Sequence, residues 1–161
     1  MMSPGPPQKA QCSIFVEDSF DYSHFLPESE KCSPLHGHTS SVKLELYGGI
    51  GQSGMILDFA VAKDALKSTL SAFDHKLVAS RKYAVERKNE GLIEIHHGKY
   101  LFIVPSDHVF LIEGEGTSEE LALVAAERLA RSLPSNVESF RITFTEGLGK
   151  GSTISMGLKR A

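Results

Sequence analysis

The residues best suited to chemistry fall close together near the N-terminus. His36 and His38 stand two apart in Cys32-Ser-Pro-Leu-His36-Gly-His38, and His24 lies upstream in Phe-Asp-Tyr-Ser-His24-Phe-Leu. On an extended strand, residues i and i+2 share a face, with Cα atoms roughly 6.5–7 Å apart. Two imidazoles at that spacing can lean onto one metal ion, whose Zn–N bonds are about 2.0–2.1 Å. Gly37 keeps the intervening position free of bulk. A third histidine from a neighbouring strand completes a His₃ set and leaves one tetrahedral position open, as catalytic rather than structural zinc sites do. Nitrogen ligands favour zinc (Zn²⁺) among the transition metals. Cys32 sits just outside the set, where its thiolate has three possible uses: ligand, nucleophile or base.

Other positions carry weaker signals. In Asp74-His75 an aspartate can hold an imidazole in one tautomer and make it a better proton carrier. The competing reading is a surface aspartate closing a helical region. Glu146 ends the apolar strand pattern of Ile142 and Phe144, so it is either a turn residue or a buried anchor for a ligand rich in N–H groups. Glu119 is most simply a first-turn carboxylate favoured by the helix dipole. His96, His97 and His108 fall in turn or loop contexts and read as solvated. Two glycine clusters, 48–54 and 147–151, read as turns: neither opens a helix and neither carries the Lys-Ser/Thr of a phosphate-binding loop.

The elements that must hold these residues can be read from periodicity. Residues 11–25 suit a strand. In Thr39–Tyr47, Val42, Leu44 and Leu46 alternate with Lys43 and Glu45, the pattern of a half-buried antiparallel strand. Asp58 caps a helix carrying Phe59, Ala62, Leu66, Leu70 and Phe73. Leu92–Ile95 and Lys99–Val104 form a hairpin across His96-His97-Gly98. Thr117 and Glu120 make a capping box for a second helix that Pro134 stops near Leu133. Phe140–Glu146 and Thr153–Leu158 form the last hairpin. The order predicts an α+β fold, an antiparallel sheet with two helices packed on one face. The uncovered face and edges of such a sheet point to self-association.

With 161 residues, residues 11–161 are expected to form one domain after a disordered tail at 1–10. A net charge of −3 advertises no basic face for nucleic acid. No apolar run approaches the ~20 residues of a membrane span, and the start lacks a signal peptide's apolar region. Two cysteines make no secreted framework; a reactive one beside histidines fits the cytoplasm.

Taken together, the chain resembles the 6-pyruvoyl-tetrahydropterin synthase and 6-carboxytetrahydropterin synthase family. The resemblance rests on Phe20-Asp-Tyr-Ser-His24-Phe-Leu, Cys32-Ser-Pro-Leu-His36-Gly-His38, Gly54-Met-Ile-Leu-Asp58-Phe59, Phe73-Asp74-His75-Lys-Leu, Thr117-Ser-Glu119-Glu-Leu-Ala and Thr143-Phe-Thr-Glu146, in the family's order. It implies the tunnelling fold, in which subunits assemble into an oligomeric barrel, usually a dimer of trimers (a homohexamer) with interface active sites. By the same resemblance His24, His36 and His38 are zinc ligands, and Cys32 is the catalytic cysteine. Asp74 and His75 are the acid/base pair, with a neighbouring subunit as one possible source. Glu146 is the pterin anchor, and Glu119 belongs to a motif near the pterin pocket. The implied substrate is 7,8-dihydroneopterin triphosphate. Three residues between Cys32 and His36 resemble the branch forming 6-carboxytetrahydropterin in deazapurine (queuosine-type) biosynthesis. The alternatives are 6-pyruvoyl-tetrahydropterin formation by triphosphate elimination, and a non-catalytic pterin- or metal-binding module. Two departures stand out: an extended hairpin segment around 80–116, and Gly147 after Glu146 where Thr or Ser is common.

Overall fold

A computed structural model describes residues 12–158, so the expected tail at 1–10 lies outside the described residues. Two long strands dominate it: β1 (Ser13–His24) and β2 (His36–Gly48), antiparallel and in register from Ser13↔Tyr47 to His24↔His36. Strand alternation sends Val16, Phe20 and Tyr22 from β1, with Val42, Leu44 and Leu46 from β2, to one buried face. β8 (Val137–Thr145) continues this face beside β2 with Phe140, Ile142 and Phe144, and β9 (Gly151–Gly157) closes the sheet edge.

Helix α1 (Phe59–Leu70) starts where expected, with Asp58 Oδ1 accepting the Ala60 N–H at 2.7 Å. Ala62, Leu66 and Leu70 pack on the sheet. Phe59, expected on that stripe, is 57% exposed, and Phe73 is buried in the turn after the helix. Helix α2 (Ser118–Ser132) bears the capping box of Thr117 and Glu120, and buries Leu121, Ala125 and Leu129 in the same core. No helix among the described residues is long and apolar enough to cross a membrane.

The expectation of an antiparallel sheet is corrected: the sheet is mixed. β3 (Lys76–Ser80) pairs parallel with β1, and β7 (Val109–Ile112) parallel with β3, giving the order β7-β3-β1-β2-β8-β9. Parallel neighbours need a crossover of a dozen or more residues. Here residues 81–108 provide it: β4 (Ala84–Arg87), β5 (Leu92–His97) and β6 (Tyr100–Pro105) form a separate three-stranded antiparallel sheet. The predicted hairpin is therefore present with an added strand. It has its own core, in which Ile93 and Ile95 meet Phe25, Leu77 and Val109. His96 and His97 end β5 rather than lying in the turn, and the His97 ring packs against Tyr83 at 4.6 Å.

Candidate metal centre

Pairing of β1 with β2 places His24 opposite His36 and Tyr22 opposite His38, bringing the three imidazoles to one end of the sheet. Their centroids are 4.6, 5.0 and 5.2 Å apart, and one ring nitrogen from each lies within 4.8 Å of the others. Gly37, between the two β2 histidines, faces the Tyr22 carbonyl so closely that a Cβ would lie 3.0 Å from it. The spacing argument for glycine there rests on this contact with β1.

The ring protons explain what the cluster is suited to hold. His24 Nδ1 lies 2.9 Å from the Gly116 carbonyl and His36 Nδ1 lies 2.8 Å from the Pro34 carbonyl. A carbonyl only accepts, so both Nδ1 atoms carry protons, and in the neutral ring each Nε2 presents a lone pair. Those Nε2 atoms are 3.1 Å apart. Two lone pairs facing each other are unfavourable unless a cation lies between them. Tetrahedral zinc with bonds of about 2.0–2.1 Å separates its ligands by about 3.3 Å, close to that spacing. His38 Nε2 is buried with no hydrogen-bond partner, an orphan of the kind a metal satisfies. Burial lowers the pKa of His24 and His38, against the opposing pull of the Gly116 carbonyl on His24 and of Glu146 on both. The rings thus favour the neutral form that ligation needs. The residues fit a transition metal.

Glu146 stands at the mouth of the cluster, 20% exposed, with Oε1 3.7 Å from both His24 Nε2 and His38 Nε2. It lies in the bend that follows β8, with its carboxylate turned toward the imidazoles. Lys150, across the turn of Gly147 (φ 78°) and Gly149 (φ 73°), lies 3.6 Å from its other oxygen. This glycine cluster is a hairpin turn, as expected. Behind the triad Tyr22 packs its ring on His24 and His38, and burial, then Glu146, pushes its phenol pKa strongly up. Tyr22, Lys150 and the Gly116 carbonyl were not singled out from sequence. Only Tyr22 had a readable signal, as the residue two before His24 on the same strand face.

The remaining expected site residues are placed elsewhere. Cys32 is a half-buried free thiol in the loop joining β1 to β2, outside the ligand cluster. The loop folds back on itself: Leu26 N–H donates to the Cys32 carbonyl at 2.8 Å, and Cys32 N–H to Ser29 Oγ at 3.3 Å. Asp74 and His75 do form a pair, with Nδ1 2.9 Å from Oδ1. His75 has φ +56°, unusual for a non-glycine residue, and its side chain is 77% exposed. Two bonds dock the pair on β1: Asp21 N–H donates to Asp74 Oδ1 at 3.1 Å, and His75 N–H to the Asp21 carbonyl at 2.7 Å. The ligand cluster comprises His24, His36 and His38, and neither Asp74 nor His75 belongs to it. Glu119 is exposed in the first turn of α2, and among the described residues its side chain accepts only from the neighbouring Ser118 hydroxyl.

Three comparisons agree with this architecture. The sequence pattern of the 6-pyruvoyl tetrahydropterin synthase family matches residues 13–156, and the chain belongs to that family. A Pyrococcus horikoshii protein provisionally named a 6-carboxy-5,6,7,8-tetrahydropterin synthase is 32% identical over 83% of each chain. The 6-carboxy-5,6,7,8-tetrahydropterin synthase of Haemophilus influenzae is 28% identical, over 80% of this chain and 89% of its own. In three dimensions the chain matches the crystal structure of 6-pyruvoyl tetrahydropterin synthase from Plasmodium vivax. The TM-score is 0.81 at 20% identity, covering 92% of this chain and 99% of that one.

Proposed function

We propose that this protein is a cytoplasmic, zinc-dependent lyase that converts 7,8-dihydroneopterin triphosphate to 6-carboxy-5,6,7,8-tetrahydropterin. The observation that carries the reading is the convergence of three imidazole nitrogens, one of them an orphan, with Glu146 standing at their mouth. Relatives named for this product, at 28% and 32% identity, support the choice within the family.

His24, His36 and His38 would hold the ion, which when bound supplies a Lewis acid for substrate side-chain oxygens. The other steps belong to the chain. Glu146 accepts the paired N–H donors of the pterin's 2-aminopyrimidinone edge and fixes the ring. Cys32, as thiolate, removes a proton from a side-chain carbon beside a hydroxyl. His75, with its Nδ1 proton held by Asp74, exchanges another through Nε2. Because the His75 imidazole is largely exposed and lies outside the ligand cluster, the pair is assigned to the site of a neighbouring copy. Self-association is thus part of the proposal, and Glu119 is assigned to the pterin pocket rim.

The test is product analysis after incubation of the zinc-loaded protein with 7,8-dihydroneopterin triphosphate. The 6-carboxy product is expected. The 6-carboxy product requires loss of both triphosphate and a two-carbon fragment. A 6-pyruvoyl product, which loses triphosphate alone, would move the assignment to the other branch, and pterin binding without turnover would make the protein a binding module.

A further inference from the structure

We propose that Glu120 is a positioning residue for the metal centre, acting on His24 through the Gly116–Thr117 peptide unit. The inference rests on the metal-binding reading of the triad. In an ordinary capping box the glutamate at the third helical position reaches back to the N–H of the N-cap residue. Here Glu120 does this, with Oε2 3.2 Å from Thr117 N, but its shorter bond, 2.7 Å, goes to the N–H of Gly116 one residue further out. The carboxylate reaches that far because Gly114 has no side chain: a Cβ there would overlap the carboxylate oxygens of Glu120. Gly116 itself adopts φ +87°, a conformation that favours glycine.

The Gly116 carbonyl and the Thr117 N–H belong to one planar trans peptide and point in opposite directions. On one side the N–H donates to the Glu120 carboxylate; on the other the carbonyl accepts the Nδ1 proton of His24 at 2.9 Å. The series runs from carboxylate to peptide to imidazole to Nε2, which faces the Nε2 of His36 at 3.1 Å. A carboxylate acting directly on a ligating histidine fixes its tautomer and raises its basicity. Here the same influence passes through a polarised peptide group, since successive hydrogen bonds strengthen one another. The second N–H, from Gly116, stops the peptide from rotating away. Glu120 therefore has two separable duties: one to helix α2, the other to His24.

Three variants separate these duties, each made in the full chain. Thr117→Ala removes the hydroxyl that accepts the Glu120 N–H but leaves the carboxylate on both peptide N–H groups. Glu120→Ala removes both interactions. Glu120→Gln keeps an acceptor oxygen without the charge. In metal-free protein, nitrogen-15 NMR of the histidine rings reads the exchange of the His24 Nδ1 proton; zinc affinity is read by competition with a chromophoric chelator. Glu120→Ala is expected to speed exchange of that proton and weaken zinc binding about ten-fold, the lower end of what loss of an outer-sphere partner costs. Glu120→Gln is expected to fall between it and the wild type. Thr117→Ala is expected to lower the melting temperature as Glu120→Ala does, with both readouts unchanged. Equal effects of Glu120→Ala and Thr117→Ala on either readout would overturn the proposal, as would an unaltered His24 proton in Glu120→Ala. Wild-type protein that binds no zinc, while Glu120→Ala still frees the His24 proton, would sustain the positioning link and reject the metal reading instead.

Discussion

The triad and the Asp74–His75 pair both hang from β1, and they are built in opposite ways. His24, His36 and His38 are fixed by strand register, by carbonyls behind two of them and by a tyrosine packed beneath. Asp74 and His75 are held by two bonds to one residue of β1, at a backbone angle that costs energy, with the imidazole in solvent. Rigid placement suits groups that must converge on a single ion. An exposed, strained pair suits a group whose partner comes from outside the chain. In the proposed reading the ligand-holding half of the site is complete in one chain, whereas the proton-handling half needs a second copy.

The largest expected effect tests the complete half. Replacing His36 and His38 together by alanine removes two of the three proposed ligands, and stoichiometric zinc should be lost. Metal analysis of purified protein checks this; unchanged zinc content would sink the assignment of the triad. Cys32→Ala should come next, keeping zinc and pterin affinity while turnover falls about a hundred-fold or more, as expected for loss of a proton-transfer group. Glu146→Ala should instead weaken pterin binding first. Charge-assisted hydrogen bonds contribute about 1.5–3 kcal/mol, roughly ten- to a hundred-fold in affinity. Measuring pterin affinity and single-turnover rate for both variants separates their roles; near wild-type turnover in Cys32→Ala with normal binding in Glu146→Ala would refute both.

The incomplete half is sharpened by complementation. Cys32→Ala and His75→Ala chains, each inactive alone, should regain partial turnover when dissociated and reassembled together, because mixed assemblies contain some sites with both groups intact. Activity no greater than that of either variant would place the pair and the thiol in the same chain's site. The smallest effect is expected from Asp74→Asn. An amide oxygen can still accept from Asp21 and His75, so the ring keeps its orientation and loses only the charge behind it. Its single-turnover rate should fall less than that of Cys32→Ala.

The complete half was also the legible half. His-x-His on an alternating strand declares its geometry locally, and so do the caps at Asp58 and at Thr117 with Glu120. What stayed hidden depends on partners distant in sequence. Lys76–Ser80 and Val109–Ile112 are short apolar runs without alternation, because strands with parallel neighbours are covered on both faces; periodicity cannot tell such runs from helix. Phe59 matched the apolar stripe of α1 but sits on its exposed first turn. The left-handed backbone of His75 had no local signal, since histidine is not a residue that announces a turn. Glu146 was ambiguous for a related reason: a carboxylate ending an apolar strand says that something nearby must compensate it, not what that something is.

The crossover between β3 and β7 has a consequence for how the molecule assembles in time. β1 and β2 are joined by a loop that closes on itself at Leu26 and Cys32, so their pairing costs little chain entropy. β3 and β7 can pair only after the intervening residues, with their own three strands, have been gathered in. Contacts that close long loops tend to form late. In pulse-labelled hydrogen exchange during refolding, amides of Val42–Leu46 should gain protection before those of Val109–Ile112. The three histidines would then converge before the Gly116 carbonyl, which follows β7 in the chain, arrives to hold the His24 ring.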